Sequence, residues 1–85
     1  MLTSLEGVPT WINGIFDCSG NHLVSLVGAP QYVKGNFDCS DNRLTTLKGI
    51  PKHTKVLYCT GNQIPGDILA EYKKACLFPI IGDEK

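Results

Sequence analysis

The sequence predicts an α/β solenoid: about three stacked units with short parallel strands, a non-helical convex side and a C-terminal cap helix. Three observations predict it. Phe16-Asp17-Cys18-Ser19-Gly20-Asn21-His22-Leu23 recurs 21 residues later as Phe37-Asp38-Cys39-Ser40-Asp41-Asn42-Arg43-Leu44. A looser copy, Leu57-Tyr58-Cys59-Thr60-Gly61-Asn62-Gln63-Ile64, follows after a further 20. Self-similarity at a period in this range marks a chain built by stacking one small unit. Within each copy, apolar residues alternate with polar ones, the period of a half-buried strand. Beyond Pro65 that period gives way to the spacing of a helix.

The units run over about 2–22, 23–43 and 44–63, so residues 1–64 form the stack and 65–85 the cap and tail. In Phe16-Asp17-Cys18 the Phe and Cys point inward and the Asp outward. Asn21, Asn42 and Asn62 close each strand, where an amide can turn the chain and hydrogen-bond neighbouring backbone, so that stacked copies make a ladder. Leu23 and Leu26, and then Leu44 and Leu47, return to the core. Pro9, Pro30 and Pro51 follow each leucine pair, and proline stops a helix from running through this arc. Ile12, Val33 and Thr54 re-enter the core. Gly14 and Gly35 precede the first two strands; the third unit lacks an equivalent, which predicts a bulge before the first two strands only. Ile68, Leu69, Tyr72, Ala75 and Cys76 lie on one face of a helix over about 66–76, with Asp67 in its first turn and Lys73 and Lys74 in its last. Leu77-Phe78-Pro79-Ile80-Ile81 is expected to pack back along that helix, and the tail 82–85 to fray. Residues 2–9 carry only the closing half of a unit, Leu2, Leu5 and Val8, so the strand at 15–19 is expected to be an open sheet edge.

The run Phe-x-Cys-x-x-Asn-x-Leu-x-x-Leu resembles the core of the leucine-rich repeat, with Phe and Cys in place of the first two leucines. With Leu-x-x-Leu-x-Gly-x-Pro it looks like the short repeats of bacterial and tailed-phage proteins. The resemblance covers residues 2–64. It implies a leucine-rich-repeat fold and a non-catalytic protein–protein interaction module. A phage-type protein of this kind would be a stoichiometric binder or inhibitor of a host protein, acting in the host cytoplasm.

Charge is balanced, with eight basic and eight acidic residues, but it is unevenly placed. Residues 1–41 net −3 from Lys34 against Glu6, Asp17, Asp38 and Asp41, whereas residues 42–74 net +4. A neutral chain is not built for bulk attraction to nucleic acid or anionic membrane. No apolar run approaches a membrane span, and the opening Met-Leu-Thr-Ser-Leu-Glu has neither a basic nor an apolar leader region. The cytoplasm is the expected compartment. Cys18, Cys39 and Cys59 share one register and are expected to be buried, reduced thiols; no Cys/His cluster has zinc-ligand spacing.

No catalytic, cofactor-binding or metal-binding set is expected. Asp17 and Asp38 stand on adjacent strands, about 5 Å apart by strand spacing. Such a pair can do acid–base chemistry, or hold a hard cation with Asp41. They recur because the unit recurs, however, and Tyr58 replaces the third. A solvated acidic face used for docking is the expectation. That face reads Ile15, Asp17, Ser19; Asn36, Asp38, Ser40, Asp41; Val56, Tyr58, Thr60. After the prolines, Trp11, Tyr32 and His53 should stack as a column. It either covers the open end or supplies interface hot spots. The candidate protein-binding residues are therefore Trp11, Ile15, Asp17, Tyr32, Asp38, Asp41 and Tyr58, and the partner is a protein of unspecified identity. One alternative is a self-assembling homodimer through the open edge. Another is nucleic-acid association through the column and the nearby Lys34, Lys48, Lys52 and Lys55.

Overall fold

Each repeat pairs with the next through parallel backbone bonds set one unit apart. The computed structural model describes residues 4–82. The expectations for Leu2 and for the tail 83–85 lie outside the described residues. Every one of the first two units carries two short strands: β1 (Trp11–Ile12) and β2 (Phe16–Asp17), then β3 (Tyr32–Val33) and β4 (Phe37–Asp38). The third contributes β5 (Leu57–Tyr58), followed by helix α1 (Gly66–Ala75) and β6 (Ile80–Ile81). β1 and β3 form a two-stranded sheet that His53 extends by a single bridge to Tyr32. The larger sheet has the order β2-β4-β5-β6, all parallel. Register follows the repeat: Phe16 pairs with Phe37 and Phe37 with Leu57, Asp17 with Asp38 and Asp38 with Tyr58. The architecture is thus α/β, with short parallel strands in two sheets and one helix among the described residues.

Parallel strands need a long crossover, usually helical. Here the arcs over 18–31 and 39–52 contain turns and no helix. Pro30 and Pro51 are buried in them. Gly28 and Gly49 turn the chain with φ of 93° and 94°. Gly49 also sits against the preceding unit: a Cβ there would lie 2.5 Å from the Leu26 carbonyl carbon. Glycine serves both needs at once, a left-handed backbone and close approach.

The core is the inward row of each unit. Leu5, Leu23, Leu26, Leu44, Leu47, Phe37 and Leu57 are fully buried, with Cys18, Cys39 and Cys59 beside them. Thr54 takes the place of Val33 at the third level, and its hydroxyl donates to the Gly35 carbonyl at 2.8 Å. That bond satisfies a polar group that burial would otherwise make costly.

The asparagines tie the units together through backbone. Asn42 Oδ1 accepts the Leu23 N–H at 3.0 Å, while its Nδ2 donates to the carbonyls of Cys18 and Cys39, both at 3.0 Å. Asn62 repeats this one unit on, with Leu44 N–H and the carbonyls of Cys39 and Cys59. Asn21 is half-buried and donates to Cys18 O at 2.9 Å.

Two expectations are corrected. The expected bulge is instead a bend at 13–14 and at 34–35 that separates the two strands of a unit; the third unit bends at 55 alone. Lys55 N–H bonds Gly35 O as Gly35 N–H bonds Gly14 O, so the residue missing from the third unit is the counterpart of Lys34. The second correction concerns the C-terminal segment. Ile80–Ile81 does not pack along the helix as a loose end but pairs with β5 as a fourth strand, Leu57 N–H donating to Pro79 O at 3.0 Å. α1 is the crossover between β5 and β6, and it buries Leu69 with Ile68, Tyr72 and Cys76 packed against the core.

Candidate functional site

The strand side of the larger sheet carries one row in register: Asp17, Asp38, Tyr58 and Ile81. Alternation along the strands sends these side chains away from the core. Asp17 is exposed, and its Oδ1 accepts from the Ser19 N–H at 2.9 Å and the Ser19 hydroxyl at 2.6 Å. These two bonds, the hydroxyl's first, hold its carboxyl below the usual carboxylate range. Asp38 is half-buried and accepts from the Ser40 N–H at 3.0 Å. Both carboxylates therefore close their own turns. Asp41 follows β4 in the left-handed region, φ 56°, and is exposed. Among the described residues no three His, Cys, Asp or Glu side chains are arranged to hold a metal ion. Two residues expected on this face turn inward instead. Ser40 is buried and accepts the Thr60 hydroxyl at 3.2 Å, and Asn36 is half-buried with its Oδ1 shut off from solvent. Both lie just outside the two-residue strands, beside β4 (Phe37–Asp38).

Beneath this row lie the thiols. Cys18 Sγ donates to Asp38 O at 3.4 Å and Cys39 Sγ to Tyr58 O at 3.1 Å. Burial, reinforced by the nearby Asp17 and Asp38 carboxylates, pushes the Cys18 thiol up to about 12. Burial pushes Cys39 up further. All four cysteines are free. Thiols so far from ionisation are packing groups rather than nucleophiles.

The smaller sheet carries the aromatic column. Trp11 and Tyr32 are in register, with ring centroids 5.5 Å apart and planes tilted by 30°. Trp11 is 66 % exposed. Ile15, in the turn between β1 and β2, is 69 % exposed, so two large apolar side chains stand in water at the same end of the molecule. β2 is the outermost strand there. Phe16 and Cys18 turn their N–H groups toward β4, to Asn36 O and Asp38 O, so Asp17 between them presents its backbone outward.

Two cavities adjoin the column. One of about 290 Å³ is lined by Trp11, Asn13, Tyr32 and Val33. The other, of about 510 Å³, lies between the third unit and the segment leading into β6, and is lined by Lys52, Thr54, Lys55, Leu77, Phe78 and Pro79. Lys34 and His53 line both. Lys48 lines neither, so only three of the four lysines noted in the sequence gather here. Leu77 and Phe78 were not legible as site residues. The signal that could have found them is the apolar pair Ile80–Ile81 after a helix, which reads as a returning parallel strand.

The sequence residues thus separate into an acidic strand row, Asp17, Asp38, Asp41 and Tyr58, and an apolar end, Trp11, Tyr32 and Ile15. No helix among the described residues is long and apolar enough to cross a membrane. No protein-family model, curated protein or solved structure matches the chain.

Proposed function

We propose that the chain is a short leucine-rich-repeat solenoid that works as a non-catalytic, stoichiometric protein-binding module in the cytoplasm. The observation that carries this reading is the pair Trp11 and Ile15, both about two-thirds exposed at one end of the stack. Large apolar side chains in water cost free energy, and aromatic residues at such places are the usual anchors of protein interfaces. Support also comes from the parallel one-unit register, which is how a stacked repeat presents equivalent positions side by side. Four free cysteines suit a reducing compartment.

The test is capture from a cell lysate by the immobilised chain, compared with a Trp11→Ala/Ile15→Lys variant of equal thermal stability. A protein retained near one-to-one by the first and lost from the second is the expected result. Retention indifferent to both substitutions would move the interface to the Asp38, Asp41 and Tyr58 face.

A second reading, self-assembly, is favoured by one observation: β2 has no neighbouring strand on its outer side among the described residues. Two copies could pair there about a two-fold axis. An antiparallel pairing brings each exposed Asp17 toward its symmetry mate, a like-charge contact that weakens the dimer. Sedimentation across a wide concentration range decides it, since the dimer predicts a mass that doubles and the Ile15→Lys substitution should abolish the doubling.

A further inference from the structure

We propose that the two adjoining cavities form one groove that docks an acidic peptide segment carrying apolar side chains, supplied by the partner protein. This rests on the reading that the chain binds protein, and it places a second contact away from the Trp11–Ile15 end.

Charge complementarity comes first. Lys34, Lys52 and Lys55 are exposed around the groove, and no Asp or Glu lines either cavity. None of the three lysines forms an ion pair with a carboxylate of the described residues. The chain as a whole is neutral, so this is a local concentration of positive charge whose compensating acids lie elsewhere, Asp17 and Asp38 on the strand row among them. Clefts lined by one sign of charge concentrate ligands of the other.

The walls supply the second half. Leu77 is fully exposed at the rim of the larger cavity, beside Pro79 and the half-buried Phe78. Val33 and the Trp11–Tyr32 pair line the smaller one. A lysine rim over an apolar wall matches a peptide whose carboxylates meet the ammonium groups while its apolar side chains cover Leu77 and Tyr32.

A nucleic acid fits less well. Its bases need free aromatic faces. Trp11 and Tyr32 pack on each other with centroids 5.5 Å apart, leaving no slot between them, and Phe78 is packed against the core, so stacking is confined to the outer faces of one ring pair.

The test uses a displayed library of random short peptides panned on the full chain, with single-stranded oligothymidylate as a parallel probe. Trp11 is the only tryptophan and lies at one end of the groove, so its emission reports binding. Selected peptides should be rich in Asp and Glu interleaved with apolar residues. They should bind a Lys34→Gln/Lys52→Gln/Lys55→Gln variant at least about tenfold more weakly, because three rim ion pairs of modest individual worth are lost together. The lysines are exposed, so the variant should keep its circular dichroism and melting point; Leu77→Ser gives a second, uncharged variant that should also weaken binding. Selected peptides that are neutral or basic, undiminished binding to the lysine variant, or oligothymidylate binding tighter than the best peptide would each overturn the groove. Peptides that respond to Ile15→Lys but not to the lysine variant would overturn the groove while leaving protein binding standing. Selection of no peptide overturns the groove, and protein binding falls with it only if lysate capture also fails.

Discussion

Replacing Asn42 by Ala tests the stacking directly, because the consequences can be counted bond by bond. Asn42 is buried and holds four backbone groups of two units. Three of them keep another partner when it goes. Cys18 O still receives the Asn21 amide at 2.9 Å, Cys39 O still receives the Asn62 amide at 3.1 Å, and Ser40 O still receives the Gly20 N–H at 3.0 Å. The Leu23 N–H does not, and Leu23 is fully buried. One orphaned buried donor costs about 1–3 kcal/mol, and three lost but replaceable bonds about 0.5 kcal/mol each, near the low end for a hydrogen bond, which together come to about 3.5 kcal/mol. A chain of this length has a total stability of roughly 4–13 kcal/mol, so the loss is a large share of it. Urea unfolding, read as a fall in midpoint at constant slope, measures it. In a thermal scan it corresponds to roughly 14–28 °C. Asn62→Ala should match it, since Leu44 N–H is orphaned in the same way. Asn42→Asp should recover little, because the acceptor for Leu23 is kept but all three donated bonds are lost and a charge is buried. Asn21→Ala is the control: Cys18 O keeps Asn42, and the residue is only half-buried. A cost below about 1 kcal/mol at Asn42, or equal costs at positions 21 and 42, would refute the reasoning.

Gly49→Ala and Gly7→Ala separate strain from contact. Both glycines have positive φ, 94° and 88°, but nothing lies within 4 Å of a Cβ at Gly7, whereas one at Gly49 strikes the backbone of Leu26 and Val27. Gly7→Ala should cost about 1–2 kcal/mol by chemical denaturation and Gly49→Ala about 1–3 kcal/mol more. Alkali should also unfold the chain early. The folded thiols of Cys18 and Cys39 ionise far above the unfolded value, so their protonated forms are held by the fold. Their contribution is complete below about pH 8.5 and is lost as pH rises toward about 12, at about 1.4 kcal/mol per pH unit and thiol. At about pH 9.5 the pair should have cost roughly 3 kcal/mol relative to pH 7, and a Cys18→Ala/Cys39→Ala variant should lack that drop in urea midpoint. Removing residues 64–85 should leave an unfolded or aggregated product by circular dichroism, since Leu57 N–H loses Pro79 and the Cys59 level loses Leu69.

What the sequence discloses best is whatever repeats. Phe16, Phe37 and Leu57 share one inward position because the backbone returns to it each time, so three copies make a pattern that one would not. The asparagines are legible for the same reason, though their partners are not. Nothing in the residue type says that Asn42 bonds the Cys18 carbonyl of the unit before. Of the features that occur once, α1 was legible from its own period of apolar residues, whereas the strand after it was not. β6 is a single strand of Ile80–Ile81 with no copy to align to, and its pairing with β5 depends on where α1 delivers the chain. Ser40 sits at a strand end, where a small rotation of the backbone decides between solvent and the Thr60 hydroxyl.

The surface follows the opposite rule. Positions that the stack does not need are free to differ between units, and there the copies diverge: Trp11, Tyr32 and His53 in the column, and Tyr58 against the repeated Asp17 and Asp38 in the strand row. Divergence at equivalent places is what a binding surface requires, because a partner is recognised by differences along the stack rather than by the repeat itself. Lys34 illustrates the point. The third unit has no counterpart to it, and that one-residue omission draws Lys55 back to the Gly35 level, where it bonds the Gly35 carbonyl through its N–H and joins Lys34 at the larger cavity. A change of period thus brings two positive charges to one site. Inserting a glycine between Thr54 and Lys55 should restore the 21-residue step, keep the fold, and weaken binding of acidic peptides by displacing Lys55. An insertion variant that folds and binds them unchanged would show that the shortened step has no part in the groove.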